Sequence, residues 1–169
     1  DPMLLLDENL LRKILKLKVS ILYLPVTIIR LMRSLFKNKK FKTRYLKTLG
    51  SMGEHLAPAV AEWFADTFTK KNRAIVNAYY QTENGAIISS PKYSDKTSEV
   101  PHGSVGQPVT KYLKINKISK NKKTEIKLIT PWPGNMKRIL NSKKEWDNYW
   151  DANGNFRMFD LATKKNKNL

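Results

Sequence analysis

"VSILYLPVTIIRLMRSLF", residues 19–36, changes its hydrophobic period at a single proline. Residues 19–25 form a short apolar, β-branched run closed by Pro25, the pattern of a strand buried on both faces. From Val26 the apolar positions fall instead at helical spacing. The same alternation extends both ways from this point. Upstream, Leu10, Leu11, Ile14, Leu15 and Leu17 recur with nearly helical spacing, and Asp7 or Asn9 can cap the start. Downstream, "LKTLGSMGEHL" (46–56) offers a second strand stopping at Gly50, and "PAVAEWFADTF" (58–68) a helix with Pro58 in its first turn. "AIVNAYY" (74–80) gives a third strand. Alternating strands and helices predict an α/β fold with right-handed βαβ units around a parallel sheet.

Past residue 80 the texture changes. "SSPKYSDKTSEVPHGSVGQP" (89–108) is a turn-rich loop, and "KYLKINKISKNKKTEIKLI" (111–129) reads as two alternating strands around a Lys/Asn turn. A Pro-Trp-Pro-Gly corner follows at 131–134, then "SKKEWDNYW" (142–150) with helical spacing of Trp146 and Trp150, then an Asn-Gly turn leading into a short strand that ends at Asp160. The expected organisation is a partial parallel-sheet α/β part over residues 1–100 and a smaller antiparallel, β-rich part with a basic tail over 101–169. Trp63, Trp146 and Trp150 are expected as core residues on helix faces, 141–149 as a surface helix, Arg30 as a local cap or pair and His102 in solvent.

Composition narrows the chemistry. The 169 residues contain no cysteine, which excludes disulfides, thiolate metal sites and a cysteine nucleophile. Two histidines, His55 and His102, are too few for a histidine metal cage. Hydroxyls, carboxylates, cations and backbone dipoles remain. The formal charge is +18, with 32 Lys and Arg against 14 Asp and Glu, a field that attracts nucleic acid, nucleotides, anionic lipid or an acidic partner without selecting among them. The excess is mostly Lys beside Asn, with almost no interleaved aromatics, so solvated loops account for it more simply than a base-stacking platform. No run approaches the ~18 apolar residues of a membrane span, and the acidic flanks of "DPMLLLDENLL" do not read as a signal peptide. An intracellular protein, cytoplasmic or in an organellar matrix and not secreted, is expected.

Ligands of parallel α/β sheets sit at the carboxyl ends of the strands. Three predicted strand ends are unusually polar: Tyr23 to Pro25, Gly50 to Glu54, and Tyr79 to Glu83. Glycines there would let a backbone approach a flat ring closely, tyrosines would wall a pocket, and a threonine beside a carboxylate suits phosphate and Mg²⁺. The alternative is that the glycines merely turn the chain and the tyrosines are ordinary core residues.

Five blocks in order, "KVSILYLPVTIIRLMRS", "LGSMGEHLAPAVAEWF", "IVNAYYQTENGAIISSP", "GSVGQP" and "ITPWPGNMKRI", resemble the acyl-adenylate-forming family, specifically AMP-forming acetyl-CoA synthetases. That family typically shows Y-T-A-P-T-A-I-R, then G-S-V-G-E-P, W-W-Q-T-E-T-G-G, G-S-A, a Pro-Trp-Pro-Gly corner and T-G-D-G-A. The resemblance spans nearly the whole chain and implies the large N-terminal domain's α/β fold. It implies ATP-dependent adenylation of acetate or another short carboxylate, with release of pyrophosphate and transfer of the acyl group to CoA. By the same resemblance, Gly53, Glu54, His55, Tyr79, Gln81, Thr82 and Asp160 would bind nucleotide, with Asp160 on the ribose and Thr82 on phosphate. Met52 and Tyr80 would line the acyl pocket. Thr82 and Glu83 would be catalytic, Glu83 placing Mg²⁺.

The departures are specific. His55 replaces the family's usual proline, and T-G-D-G-A reads Met158, Phe159, Asp160, Leu161, Ala162, with two small residues made bulky. A phenylalanine for glycine either fills the nucleotide's space or forces a different backbone path. The family's Thr/Ser/Gly-rich phosphate loop, its nucleotide-contacting arginine, its hinge and its C-terminal domain with the catalytic lysine find no match, so catalysis by this chain alone is not expected. Three functions fit: an internal piece of an acetyl-CoA-synthetase-like ligase, a degenerate member kept as a structural or assembly protein that binds RNA or another acidic partner through its basic surface, or a small nucleotide-binding module.

Overall fold

The computed structural model describes residues 2–69, 74–129, 132–165 and 167–169. After a 3₁₀ turn (Pro2–Leu6), the Asp7 carboxylate accepts the Leu10 N–H at 3.0 Å and caps α1 (Glu8–Lys16). The chain then enters β1 (Ile21–Pro25) and passes at Pro25 directly into α2 (Val26–Leu35). β2 (Thr48–Met52), α3 (Pro58–Phe68) with proline in its first turn, and the two-residue β3 (Val76–Asn77) complete the alternation. The strands form a parallel sheet in the order β1-β2-β3. Together with short antiparallel sheets further along the chain, this is the mixed α/β architecture expected.

The chain divides into two compact units, Asp1–Ala78 with Pro91–Val105, and Tyr79–Ser90 with Gly106–Leu169. In the first, Leu22 and Leu24 of β1 pack with Ile29 and Met32 of α2 and with Phe64 and Phe68 of α3. Phe36, Phe41, Phe68 and Phe64 make successive ring contacts at centroid separations of 5.2, 5.4 and 5.3 Å, offset and edge-on geometries that add to simple burial.

Two boundaries differ from the sequence expectation. β2 continues two residues past Gly50, because this glycine is an interior strand position lying opposite Tyr23 in register. A Cβ at residue 50 would stand 1.9 Å from Tyr23 Cδ2, so the flat ring that approaches this glycine is the chain's own. β3 stops early because the Tyr79 N–H donates to Ser89 O at 2.9 Å, taking the two tyrosines out of the parallel sheet. Where β2 and β3 end, the buried Ser51 hydroxyl donates to Asn77 Oδ1 at 2.8 Å, while Asn77 Nδ2 donates to the carbonyls of Gly103 and Ser104 at 3.3 and 3.4 Å. This satisfied polar pair pins the Gly103–Ser104 segment to the strand ends.

In the second unit, β4 (Ser89–Ser90) pairs antiparallel with β5 (Gln107–Pro108), and β6 (Thr124–Leu128) with β7 (Phe156–Ala162). Ile88, Leu113, Ile126, Leu128, Phe156 and Met158 are its buried centre. The first expected strand of 111–129 is reduced to a bridge between Ile115 and Leu128. Asn116 explains this: its side chain accepts the Lys127 N–H at 2.8 Å and donates to Glu125 O at 2.9 Å, taking places a backbone ladder would fill. α4 (Lys143–Asn148), capped by Ser142, is exposed as expected, but Trp150 lies beyond its end and packs edge-on to Phe156 at 5.2 Å. In the following turn Asp151 accepts from Lys127 Nζ at 2.8 Å and from the N–H groups of Asn155 and Asn153, which holds its carboxyl well below the usual range. No helix among the described residues is long and apolar enough to cross a membrane.

Replacing Gly50 by alanine will destabilise the first unit by about 1–3 kcal/mol, the usual cost of an overpacked site. Denaturant unfolding should show most of that loss relieved in the Gly50→Ala/Tyr23→Ala double variant. A fully additive double variant would mean that the strain lies elsewhere.

Candidate functional site

The polar run after the third predicted strand is a closed loop of the second unit. Ile88 N–H donates to Tyr79 O at 2.8 Å, opposite the Tyr79 to Ser89 bond, and between them residues Thr82–Asn84 form one 3₁₀ turn ended by Gly85 at φ +63°. The Trp-Pro-Gly corner clamps that turn; its first proline, Pro131, lies outside the described residues. Trp132 Nε1 donates to Asn84 O at 3.0 Å, Asn84 Nδ2 to Asn135 Oδ1 at 3.1 Å, and the Met136 N–H to Glu83 O at 2.7 Å. A Cβ on Gly134 would lie 2.2 Å from Asn84 O, so glycine is required for the two backbones to touch.

Held this way, Tyr79 and Gln81 reach β7. Glu125 pairs with Leu161 but Lys127 with Arg157, so two steps along β6 correspond to four along β7, and the surplus falls at Met158, Phe159 and Asp160. This is a β-bulge, a device that re-aims a side chain. Phe159 adopts φ +56°, the left-handed conformation in which glycine is at ease. Met158 is fully buried, so its bulk goes into the core, while Phe159 is 49% exposed. The bulge presents Asp160, whose Oδ2 accepts from Tyr79 Oη at 2.7 Å and from Gln81 Nε2 at 2.6 Å; Gln81 Nε2 also donates to Met158 O at 2.7 Å. Both bonds fall on one oxygen of an exposed carboxylate, and among the described residues Oδ1 has no hydrogen-bond donor. Burial first, and then the Asp160 carboxylate, push the Tyr79 phenol well above the ordinary tyrosine value.

Beside this pair, Thr82 Oγ1 donates to Glu83 Oε2 at 3.1 Å and Tyr149 Oη donates to Glu83 Oε1 at 3.2 Å. The Tyr149 phenol is also raised, by desolvation first and then by Glu83. Tyr80, the predicted acyl-pocket residue in this loop, is 38% exposed. Thus Tyr79, Gln81, Thr82, Glu83 and Asp160 are gathered in one unit.

The other predicted site residues belong to the first unit, at the end of β2. Gly53 has φ +90°, with no heavy atom within 4 Å of a Cβ position. Glu54 Oε2 accepts from Arg30 Nη1 at 2.8 Å, Thr27 Oγ1 donates to Glu54 Oε1, and Arg30 Nη2 donates to His55 O at 3.0 Å. Arg30 therefore does pair with a carboxylate, though one at the end of β2 rather than on its own helix. Met52 is half-buried; Gly53, Glu54 and His55 are exposed. Among the described residues no three His, Asp or Glu side chains cluster as a ready-made metal cage.

A family model described as AMP-binding enzyme matches residues 1–128. The chain belongs to the AMP-binding enzyme family. It is 28% identical to the acetyl-coenzyme A synthetase of Methanothrix thermoacetophila over 160 residues, covering 86% of this chain and 24% of that protein. It is 35% identical to acetyl-coenzyme A synthetase 1 of Saccharomyces cerevisiae over 95 residues, 54% of this chain and 13% of the yeast protein. The chain thus spans about a quarter of the length of the first of these curated relatives. Among solved structures, ATP-bound MatB from Rhodopseudomonas palustris superposes with a TM-score of 0.73 at 16% identity, over 99% of this chain and 32% of that one. McyG A-PCP complexed with phenylalanyl-adenylate gives 0.71 at 20% identity, over 98% and 28%. These likenesses establish the fold.

Within this member of the AMP-binding enzyme family, Tyr149 escaped sequence reasoning. It caps the C-terminal end of α4, half-buried, and nothing in its spacing signals that its hydroxyl reaches Glu83. The Asn77 pin was equally silent, a polar residue inside an apolar strand pattern.

Two outcomes follow from the geometry. Phe159→Val should cost about 1–3 kcal/mol, since a β-branched residue tolerates positive φ worst, while Phe159→Gly should be nearly neutral in thermal unfolding, relief of the backbone offsetting lost ring contacts. Because the folded-state pKa of Tyr79 lies above the unfolded value of 10.0, its contribution is complete below that pH and is lost as pH rises beyond it. Stability measured from pH 9 to 12, a window chosen by roughly this titration range, should fall less steeply in Tyr79→Phe than in the parent chain.

Proposed function

We propose that this chain carries nucleotide- and carboxylate-binding elements of an AMP-forming acid–CoA ligase, the class in which a short carboxylate such as acetate is adenylated by ATP and passed to CoA. The observation that carries the reading is the Asp160 carboxylate, oriented through Oδ2 by Tyr79 and Gln81 with no donor on Oδ1 among the described residues. Such a carboxylate suits the vicinal hydroxyls of a ribose, which donate hydrogen bonds to a preoriented acceptor at little further ordering cost. Thr82 Oγ1 gives its one proton to Glu83 Oε2 and so acts in this reading through that carboxylate rather than as a donor to phosphate, while Tyr79 and Gln81 act by holding Asp160. The family resemblance implies nucleotide contacts for Gly53, Glu54 and His55, and acyl contacts for Met52 and for Tyr80.

The donor set at residues 82 and 83, one hydroxyl and one carboxylate, fits Mg²⁺, which keeps several waters and takes its remaining ligands from substrate phosphates. When bound it neutralises charge on the phosphates. Glu83 would hold it, Thr82 orienting the carboxylate. The likeness to ATP-bound MatB and to the acetyl-coenzyme A synthetases supports ATP and CoA as the co-substrates.

Calorimetric titration of the chain with Mg²⁺·ATP and with a non-hydrolysable acetyl-adenylate mimic, at low and physiological salt, tests this. Binding should survive the higher salt and weaken on the order of ten-fold in Asp160→Ala, the loss expected for a charge-assisted contact. Only weak attraction that salt abolishes and Asp160→Ala leaves untouched would overturn the reading.

A further inference from the structure

We propose that Tyr149 is a positioning residue for Glu83, and that Phe159 braces it. The inference rests on the reading of Glu83 as the Mg²⁺-facing carboxylate. A lone glutamate on a one-turn helix has three side-chain torsions, the last of them broad, and a partner on each oxygen fixes its plane. Glu83 has both: Thr82 Oγ1 on Oε2 at 3.1 Å and Tyr149 Oη on Oε1 at 3.2 Å. A carboxylate oxygen has two lone-pair sites, so each can accept one bond and still face a cation.

Tyr149 is itself fixed by rings. Phe156 lies against it at 5.3 Å and Phe159 meets it edge-on at 5.1 Å with planes at 82°. The opposite constraint on Phe159 comes from the Arg157 guanidinium, 4.7 Å from its centroid, which is in turn held by Glu125 at 2.9 and 3.3 Å. The left-handed backbone at Phe159 is unfavourable for a residue with a Cβ, and these contacts are what the phenylalanine gains that a glycine cannot. Phe159 thus sits in the bulge at positive φ and braces Tyr149.

Outer partners of a metal-facing carboxylate typically matter by ten-fold or more in metal affinity. Calorimetry on the full chain with ATP, titrated with and without Mg²⁺, isolates the effect, because Tyr149→Phe keeps the ring packing and removes only the hydroxyl. The expected result is an approximately ten-fold loss in the Mg²⁺-dependent part of ATP affinity, no change in Mg²⁺-free ATP binding, and no further loss when Tyr149→Phe is added to Glu83→Gln. Phe159→Gly should shift the same quantity in the same direction by less. If Asp160→Ala weakens ATP binding but Tyr149→Phe leaves the Mg²⁺ dependence unchanged or strengthens it, the positioning role is overturned and the nucleotide site stands. If the parent chain binds no nucleotide at all, the functional reading falls and takes this proposal with it.

Discussion

The contact between the Asn84 carbonyl and Gly134 governs the second unit. Backbone touches backbone there, at a distance that admits no side chain on Gly134, and the Trp132 indole and the Met136 N–H complete the seam. A turn of three residues has too few internal hydrogen bonds to hold its own shape. Docked on the corner, it has no freedom to drift, and Gln81, Thr82 and Glu83 become fixed points. Everything chemical about this loop follows from that immobilisation, including the reach of Gln81 to Asp160 and the alignment of the Glu83 carboxylate.

The first unit is organised by different physics. Its sheet is apolar and parallel, and the polar atoms at the strand ends are satisfied internally, Ser51 by Asn77 and Asn77 by the Gly103–Ser104 carbonyls. Buried polar groups that find full partners specify a geometry rather than add much net stability. By contrast the Glu54 to Arg30 pair is half-exposed and contributes about 0–1 kcal/mol. Its consequence is to give the carboxylate of Glu54 a resident cation and a hydroxyl, which any ligand there would share or displace.

Period and punctuation carried the first unit in the sequence. The change from strand to helix at Pro25, the Asp7 cap and Pro58 all appear where local rules put them, because each is a local preference acting on its own neighbours. Strand length was not legible in the same way. Gly50 looks like a stop but lies inside β2, since what it accommodates is the Tyr23 ring on another strand, and the end of β3 depends on Ser89, ten residues after Tyr79. The 111–129 hairpin failed for a related reason: Asn116 breaks its ladder with a side chain that alternation cannot weigh. At the site, the run from Tyr79 to Glu83 and Asp160 stood out by residue type and family likeness, whereas Tyr149 did not, because its role exists only once the fold is made.

Phe159 carries the remaining argument. Residue type and backbone conformation are separable: a glycine motif can lose its glycine while the chain keeps the φ that glycine made easy, provided neighbouring contacts hold it there. Phe159 adopts φ +56°, with Tyr149 edge-on at 5.1 Å and the Arg157 guanidinium 4.7 Å from its ring centroid. The aspartate that follows is still presented by the bulge to Tyr79 and Gln81. A motif comparison scores that substitution as decay of the site. The Asp160 carboxylate nonetheless meets Tyr79 and Gln81, with a residue at positive φ immediately before it.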